Sequence, residues 1–76
     1  MPRYYEIEFA FRNAIVFEPN GRRTVTTRDF VRELRVLNWH FSLKEANNWI
    51  EASVSTFRDI STEEGENRVF MLFNPN

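Results

Sequence analysis

The chain has no cysteine, a single histidine and only two glycines among its 76 residues. Without cysteine, both disulfides and thiolate-ligated metal sites are excluded. One histidine also disfavours a histidine-based zinc site. Gly21 and Gly65 are each explained by a turn, so no glycine-rich phosphate loop is predicted. We therefore expect neither a metal nor a cofactor, and the lack of cysteine fits a reducing compartment.

Long apolar runs are also missing. No stretch approaches the roughly 20 apolar residues that a membrane-spanning helix needs. The N-terminal residues include acids where a signal peptide needs its apolar region. We therefore expect a soluble cytoplasmic protein that does not associate with membranes.

Aromatic residues are abundant, with eight phenylalanines, two tryptophans and two tyrosines. A chain of this length buries only roughly 60% of its unfolded surface on folding, so its stability should be marginal. Each aromatic side chain can bury about 150–250 Å², which favours a dense aromatic core over self-association as the source of stability. The sequence predicts one small domain, 1–76, present as a monomer or a homodimer.

Charge is nearly balanced overall but unevenly distributed. Residues 22–44 hold six basic and two acidic side chains, whereas residues 45–76 hold two basic and six acidic ones. A net charge of −1 leaves no whole-molecule field to hold nucleic acid. Nearly all the positive charge is arginine, the residue suited to bidentate pairing at interfaces. The preferred interpretation of this uneven distribution is a mixed, solvated surface that also pairs internally, and an interface is the alternative.

The first segment, Tyr4 to Phe11, alternates apolar and polar side chains in a period of two. This pattern predicts a half-buried strand with Tyr5, Ile7, Phe9 and Phe11 on one face. Arg12-Asn13 is a weak turn candidate. The alternative is one long bent strand over residues 4–17.

A hairpin is predicted next. Ala14 to Glu18 is β-prone, and Asn20-Gly21 after Pro19 is a strong signal for a two-residue type I′ turn. In that register Glu18 faces Arg23 and Val16 faces Val25, and both pairs are favourable across strands.

Two amphipathic helices follow. Thr26 or Thr27 caps the first helix, which buries Phe30, Val31, Leu34 and Leu37 and exposes Arg28, Arg32 and Arg35. Ser42 to Glu45 is a capping box that starts the second helix. The predicted buried stripe of the second helix is Leu43, Ala46, Ile50 and Val54.

The chain is predicted to end in two strands, Phe57 to Ser61 and Arg68 to Phe73, around an acidic turn with Gly65 at positive φ. The continuous apolar run of the last strand suggests a central position, paired also with the first strand. The predicted fold is therefore α+β: an antiparallel sheet of four to five strands, in the order β-β-β-α-α-β-β, with a two-helix hairpin on one face.

No arrangement of residues predicts catalysis. His40 lacks the nucleophile or orienting partner that a general base needs. Asp59, Ser61 and Glu63 fail the calcium-loop pattern, which requires glycine at the sixth position and glutamate at the twelfth. Glu6 and Glu8 are expected to face solvent from one strand face. We expect no enzymatic activity.

Binding to a macromolecule is the better hypothesis, and a protein is the preferred partner. Tryptophan and arginine are common anchors of protein interfaces, and the candidate binding residues are Arg28, Arg32, Arg35, Trp39 and Trp49. The alternative is a winged-helix-like DNA-binding regulator, in which Asn47 and Asn48 read adenine edges. Acids on the second helix and in the turn at residues 63–67 oppose phosphate contact.

The second half of the chain also carries a resemblance. Residues 42–51 (SLKEANNWIE), 57–61 (FRDIS) and 65–68 (GENR) resemble small uncharacterised proteins of lambdoid phages and enterobacterial prophages. No biochemical motif accompanies this resemblance. It implies a cytoplasmic accessory protein that acts by binding host or phage machinery.

Overall fold

The computed structural model describes residues 4–73, apart from the side chain of Tyr4. Its elements are, in order, α1 (Tyr4–Ala14), β1 (Val16–Phe17), β2 (Arg23–Thr26), α2 (Thr27–Val36), α3 (Leu43–Ser53), β3 (Phe57–Asp59) and β4 (Val69–Leu72). The four strands form an open antiparallel sheet in the order β1-β2-β4-β3. The α+β class and the antiparallel sheet are confirmed. Within residues 4–73, no helix combines the length and the apolar character that crossing a membrane requires.

The first element corrects the sequence analysis, because Tyr4–Ala14 is a helix and not a strand. Its buried residues are Ile7, Ala10, Phe11 and Ala14, which follow the i, i+3, i+4, i+7 spacing of a helix face. Tyr5 and Phe9, expected on the buried face of a strand, are 65% and 54% exposed. The segment fits both periods, and the helical arrangement buries these four residues in the core that α1 shares with α2. The predicted turn at Arg12-Asn13 and the bent strand over residues 4–17 are wrong for the same reason.

The hairpin forms as predicted, but its register is shifted by one residue. Its loop has three residues, closed by Glu18 N–H to Arg22 O at 2.8 Å and Gly21 N–H to Glu18 O at 2.9 Å. Gly21 has φ +88°, as expected after a type I turn in such a loop. A two-residue Asn20-Gly21 turn would require an N–H donor at Pro19, and proline has none.

The shift changes which side chains pair across the hairpin. Val16 faces Thr24 and Phe17 faces Arg23, so the predicted Glu18–Arg23 and Val16–Val25 pairs do not form. A one-residue slip moves side chains to the opposite face of a sheet. Accordingly, Val25 is buried whereas Val16 is 48% exposed.

Both predicted helices form with the predicted caps. The Thr26 hydroxyl accepts a hydrogen bond from Asp29 N–H, and the Ser42–Glu45 capping box is complete. The helix α2 ends in a Schellman motif at Asn38, whose φ is +67°. Its two hydrogen bonds run from Asn38 N–H to Arg35 O at 3.0 Å and from Trp39 N–H to Leu34 O at 2.9 Å.

The last strand is central, but its partners differ from the prediction. It pairs with β2 and β3, because the segment expected to be the first strand is helical. Phe70 is buried and its neighbours in β4 are half-buried, so the predicted burial on both faces is only partial. Gly65 in the preceding turn has φ +131°, as predicted.

Aromatic rings join the helices to the sheet in the core. The ring of Phe11 in α1 packs edge-on against the rings of Phe30 in α2 and Phe57 in β3. The distances between ring centroids are 5.4 Å and 5.0 Å, respectively. Such edge-to-face pairs contribute about 0.5–1.5 kcal/mol beyond their area burial. Other apolar side chains complete the core: Ile7, Ala10, Ala14, Val25, Val31, Leu34, Ala46, Ile50 and Phe70.

A buried threonine ties α2, α3 and β4 together. The hydroxyl of Thr27 donates to Asn47 Oδ1 at 2.6 Å and accepts from Arg68 N–H at 2.8 Å. The backbone N–H of Thr27 donates to Arg68 O at 2.9 Å. Asn47 Nδ2 in turn donates to Glu66 O at 2.6 Å. Since Thr27 is fully buried, these groups depend on one another for their hydrogen bonds.

We expect Thr27→Val to destabilise the protein by about 1–3 kcal/mol, because it leaves a buried donor and a buried acceptor unsatisfied. Thr27→Ser is the matched control: it keeps the hydroxyl and loses one methyl group, at a cost of about 1 kcal/mol. Urea unfolding followed by circular dichroism measures both. A valine variant as stable as the wild type would contradict this account.

Candidate functional site

An open groove of about 690 Å³ lies between one face of α2 and the start of α3. We call it the α2 groove. Five of its residues come from α2 at the i, i+3, i+4, i+7, i+8 spacing of one helix face. The full lining is Arg28, Val31, Arg32, Arg35, Val36, Phe41, Ser42 and Leu43. The groove therefore combines three cations with an apolar floor.

Local backbone motifs hold the far wall of the α2 groove in place. The Schellman motif at Asn38 and the capping box at Ser42 fix both ends of the connection between α2 and α3. Phe41 lies on this connection, and its ring packs edge-on against Trp39 at 5.9 Å. Trp39 and Phe41 are both half-buried and packed against the core. The wall is thus anchored by backbone hydrogen bonds and by ring packing.

The three arginines of the α2 groove are exposed and only weakly engaged. Arg32 approaches Asp29 at 3.6 Å and Glu33 at 3.8 Å, with 69% of its side chain exposed. Pairs of this kind contribute about 0–1 kcal/mol. Arg28 and Arg35 form no ion pair with any residue in the part of the chain that the structure describes. Their guanidinium groups can therefore pair with carboxylates from outside.

The two tryptophans predicted as apolar anchors lie elsewhere. Trp49 packs at 5.3 Å from Phe30 and 5.8 Å from Phe11, and it lines a separate groove between α1, α3 and β3. Trp39 supports Phe41 and does not line the α2 groove. The structure thus brings Arg28, Arg32 and Arg35 together, without the two tryptophans.

Sequence reasoning missed Val36, the most exposed large apolar residue of the α2 groove, at 76% exposure. The signal was present, because Val36 follows Arg32 by four residues and so shares a face with it. Val36 therefore adds exposed apolar surface beside the three arginines of the α2 groove.

The side chains on the exposed face of α3 are poorly suited to binding nucleic acid. The side-chain amide of Asn47 is already hydrogen-bonded within the protein: its Oδ1 accepts from the Thr27 hydroxyl, and its Nδ2 donates to Glu66 O. Asn48 is exposed, but its exposed neighbours include Glu45 and Glu51. The predicted reading of adenine edges by Asn47 therefore conflicts with its structural role.

The acidic turn between β3 and β4 is organised by Arg68. Its Nε donates to Asp59 Oδ2 at 2.8 Å, and its Nη1 donates to Glu63 O at 2.9 Å. Ser61 N–H donates to Asp59 Oδ1 at 2.9 Å. Partial burial raises the pKa of Asp59, but the hydrogen bonds from Ser61 and Arg68 and the charge of Arg68 outweigh it and lower that pKa. Asp59 thus stabilises the turn through its contacts with Ser61 and Arg68.

The remaining candidates for chemistry are Glu6, Glu8 and His40. Glu6 and Glu8 lie on α1, not on a strand, and Glu8 pairs with Arg12 at 2.8 Å. His40 is exposed in the connection between α2 and α3. Among residues 4–73, no group of three or more metal-binding side chains is close enough to hold an ion.

Comparison with known proteins gives no assignment. No protein-family model, curated protein or solved structure matches the chain. On the surface of the protein, the α2 groove places exposed arginines beside the exposed apolar side chain of Val36.

We expect Asp59→Asn to reduce stability at pH 7 by at most about 1 kcal/mol, because a third of the carboxylate side chain is exposed and solvent screens its pairing. With a lowered folded-state pKa, the contribution of Asp59 is complete above its unfolded pKa of about 4 and is lost as pH falls through the folded pKa. Wild type and variant should therefore converge as the pH falls through the folded pKa. Urea unfolding at pH 7 and at a series of acidic pH values tests this.

The control is Glu64→Gln, which removes the same charge from an exposed side chain of the same turn. At pH 7 its stability should stay within about 0.5 kcal/mol of wild type. An Asp59→Asn variant that matches wild type at pH 7 would show that the contact with Arg68 contributes nothing.

Proposed function

We propose that this protein is a small, non-enzymatic binding module that engages a protein partner through the α2 groove. The observation that carries the proposal is the α2 groove itself, in which Arg28, Arg32 and Arg35 lie beside apolar side chains, of which Val36 is exposed. Arginine is enriched at the energetic centres of protein interfaces, and its planar group pairs carboxylates bidentately. Two of the three arginines lack an ion pair within residues 4–73.

The apolar floor favours a protein over a nucleic acid. Val36 is mostly exposed, and Phe41 and Leu43 are half-buried. Covering such surface contributes about 25 cal/mol per Å², a gain that a phosphate backbone cannot provide. A partner with both acidic and apolar side chains would satisfy both parts of the α2 groove.

The second half of the chain resembles small phage and prophage proteins, and this resemblance supports a bacterial setting for the proposed function. It fits an accessory protein that binds host or phage machinery in the bacterial cytoplasm. The sequence pattern supports the same compartment through its lack of cysteine.

A winged-helix DNA-binding regulator is the second candidate, and the topology favours it. The elements from α1 to β4 follow the winged-helix order, and β4 lies between β2 and β3 as in such domains. In that arrangement α3 would enter the major groove and residues 60–68 would form the wing. The charges oppose it, because Glu63, Glu64 and Glu66 lie in the wing and would face phosphates.

A titration of the protein into fluorescent duplex DNA at about 50 mM and about 200 mM salt separates the two candidates. The protein-binding proposal predicts no saturable binding at the lower salt concentration. Micromolar binding that weakens steeply at the higher concentration would favour the DNA regulator instead.

We expect the double variant Arg32→Glu, Arg35→Glu to capture at least about ten-fold less partner protein than wild type in a pull-down from bacterial lysate. Mass spectrometry quantifies the captured protein. Charge reversal replaces attraction with repulsion at the centre of the α2 groove. Both side chains are exposed, so circular dichroism should show an intact fold.

The matched control is Arg22→Glu, Arg23→Glu, which makes the same charge change on exposed residues outside the α2 groove. This control should capture the partner as wild type does. Equal losses in both double variants would mean that net charge, and not the α2 groove, governs binding.

A further inference from the structure

The three arginines of the α2 groove have a spacing that restricts what can pair with all of them. They are separated by four and then three residues on α2. At 1.5 Å per residue their Cα atoms are displaced along the axis by about 6 and then about 4.5 Å, or about 10.5 Å in total. Carboxylates displaced by similar unequal steps along a ligand would lie beside all three arginines.

A helix lying alongside α2 reproduces this spacing. Acidic residues at i, i+4 and i+7 match a parallel helix, and acidic residues at i, i+3 and i+7 match an antiparallel one. An extended segment matches less closely, because its same-side residues recur evenly at about 6.6–6.8 Å and the third would lie about 3 Å farther along. The spacing thus favours a helical ligand.

The apolar floor restricts the rest of the ligand. On α2, Val31 and Val36 flank the three arginines on either side, and Phe41 and Leu43 line the α2 groove from outside α2. A helix that presents acids along one edge of its contact face needs apolar side chains next to them. This pattern describes an acidic amphipathic helix laid into a groove.

A second copy of this chain does not supply such a helix. In the described helices, α1 has acids at positions 6 and 8, α2 at 29 and 33, and α3 at 45 and 51. None of these three helices has three acids at the required spacing. None of the three described helices is therefore the matching ligand, and a helix of another protein is the occupant that the spacing favours.

We propose that the α2 groove binds an amphipathic helix of another protein, with carboxylates at i, i+4, i+7 or at i, i+3, i+7 against Arg28, Arg32 and Arg35. Apolar side chains of that helix contact Val36 and Phe41. This proposal rests on the proposed function and specifies the chemistry of the partner.

The test uses synthetic fluorescent helical peptides and the full chain, measured by fluorescence anisotropy at low salt. The probes are two alanine-rich peptides with leucines on one face and glutamates at i, i+4, i+7 or at i, i+3, i+7 beside them. One matched peptide replaces the glutamates with glutamine, and another moves them to the opposite face. We expect the better probe to bind at least about ten-fold more tightly than both matched peptides.

Protein variants test the same contacts from the other side. Arg28→Gln, Arg35→Gln should weaken binding of the probe at least about ten-fold, whereas Arg22→Gln, Arg23→Gln should leave it unchanged. Val36→Ser tests the apolar part of the α2 groove. Because Val36 is exposed, this variant should fold as wild type does, and it should also weaken binding of the probe.

Several outcomes would overturn the inference. If the glutamine peptide bound as tightly as the glutamate probe, pairing of carboxylates with the arginines would be excluded. If the opposite-face peptide bound as tightly as the probe, the proposed positions of the carboxylates on the ligand helix would be wrong. If neither probe binds but Arg32→Glu, Arg35→Glu still loses a partner from lysate, the proposed function stands and the helical acidic ligand does not. If the lysate partner is also unaffected, both proposals fail.

Discussion

The buried hydroxyl of Thr27 is the contact on which the rest of the structure depends. It lies at the first residue of α2 and bonds both Asn47 of α3 and the backbone of Arg68 just before β4. Inside a protein, unsatisfied polar groups are costly, so the three segments keep one relative position. That position sets where α2 lies on the sheet and, with it, which face of α2 remains outside.

The aromatic core acts on the other side of α2. Phe30 is fully buried, and its ring contacts Phe11 of α1 and Trp49 of α3 at 5.4 and 5.3 Å. These contacts use the inner face of α2 completely. Its arginine face is left for solvent or a partner, and the caps at Asn38 and Ser42 hold Phe41 opposite to it. The α2 groove is thus a consequence of how the core is packed.

Much of the site could be predicted from the sequence, because it lies on one helix with clear periodicity. The spacing of Arg28, Arg32 and Arg35 alone places them together, and the structure keeps them exposed. The apolar anchors could not be assigned in the same way. A tryptophan at the border of a helix face can point to the core or to solvent, and only its contacts with Phe11 and Phe30 place Trp49 in the core.

The sequence by itself determined the elements whose signals are local: the caps of α2 and α3, the hairpin, and the turn at Gly65. These depend on hydrogen bonds and backbone preferences within a few residues. Only the tertiary structure decided the state of Tyr4–Ala14 and the neighbours of β4. The first segment fits a strand period and a helix period equally well, so burial of Ile7, Ala10 and Phe11 against α2 selects the helix. The apolar run of β4 indicates a central position, but it carries no signal for which strands lie beside it.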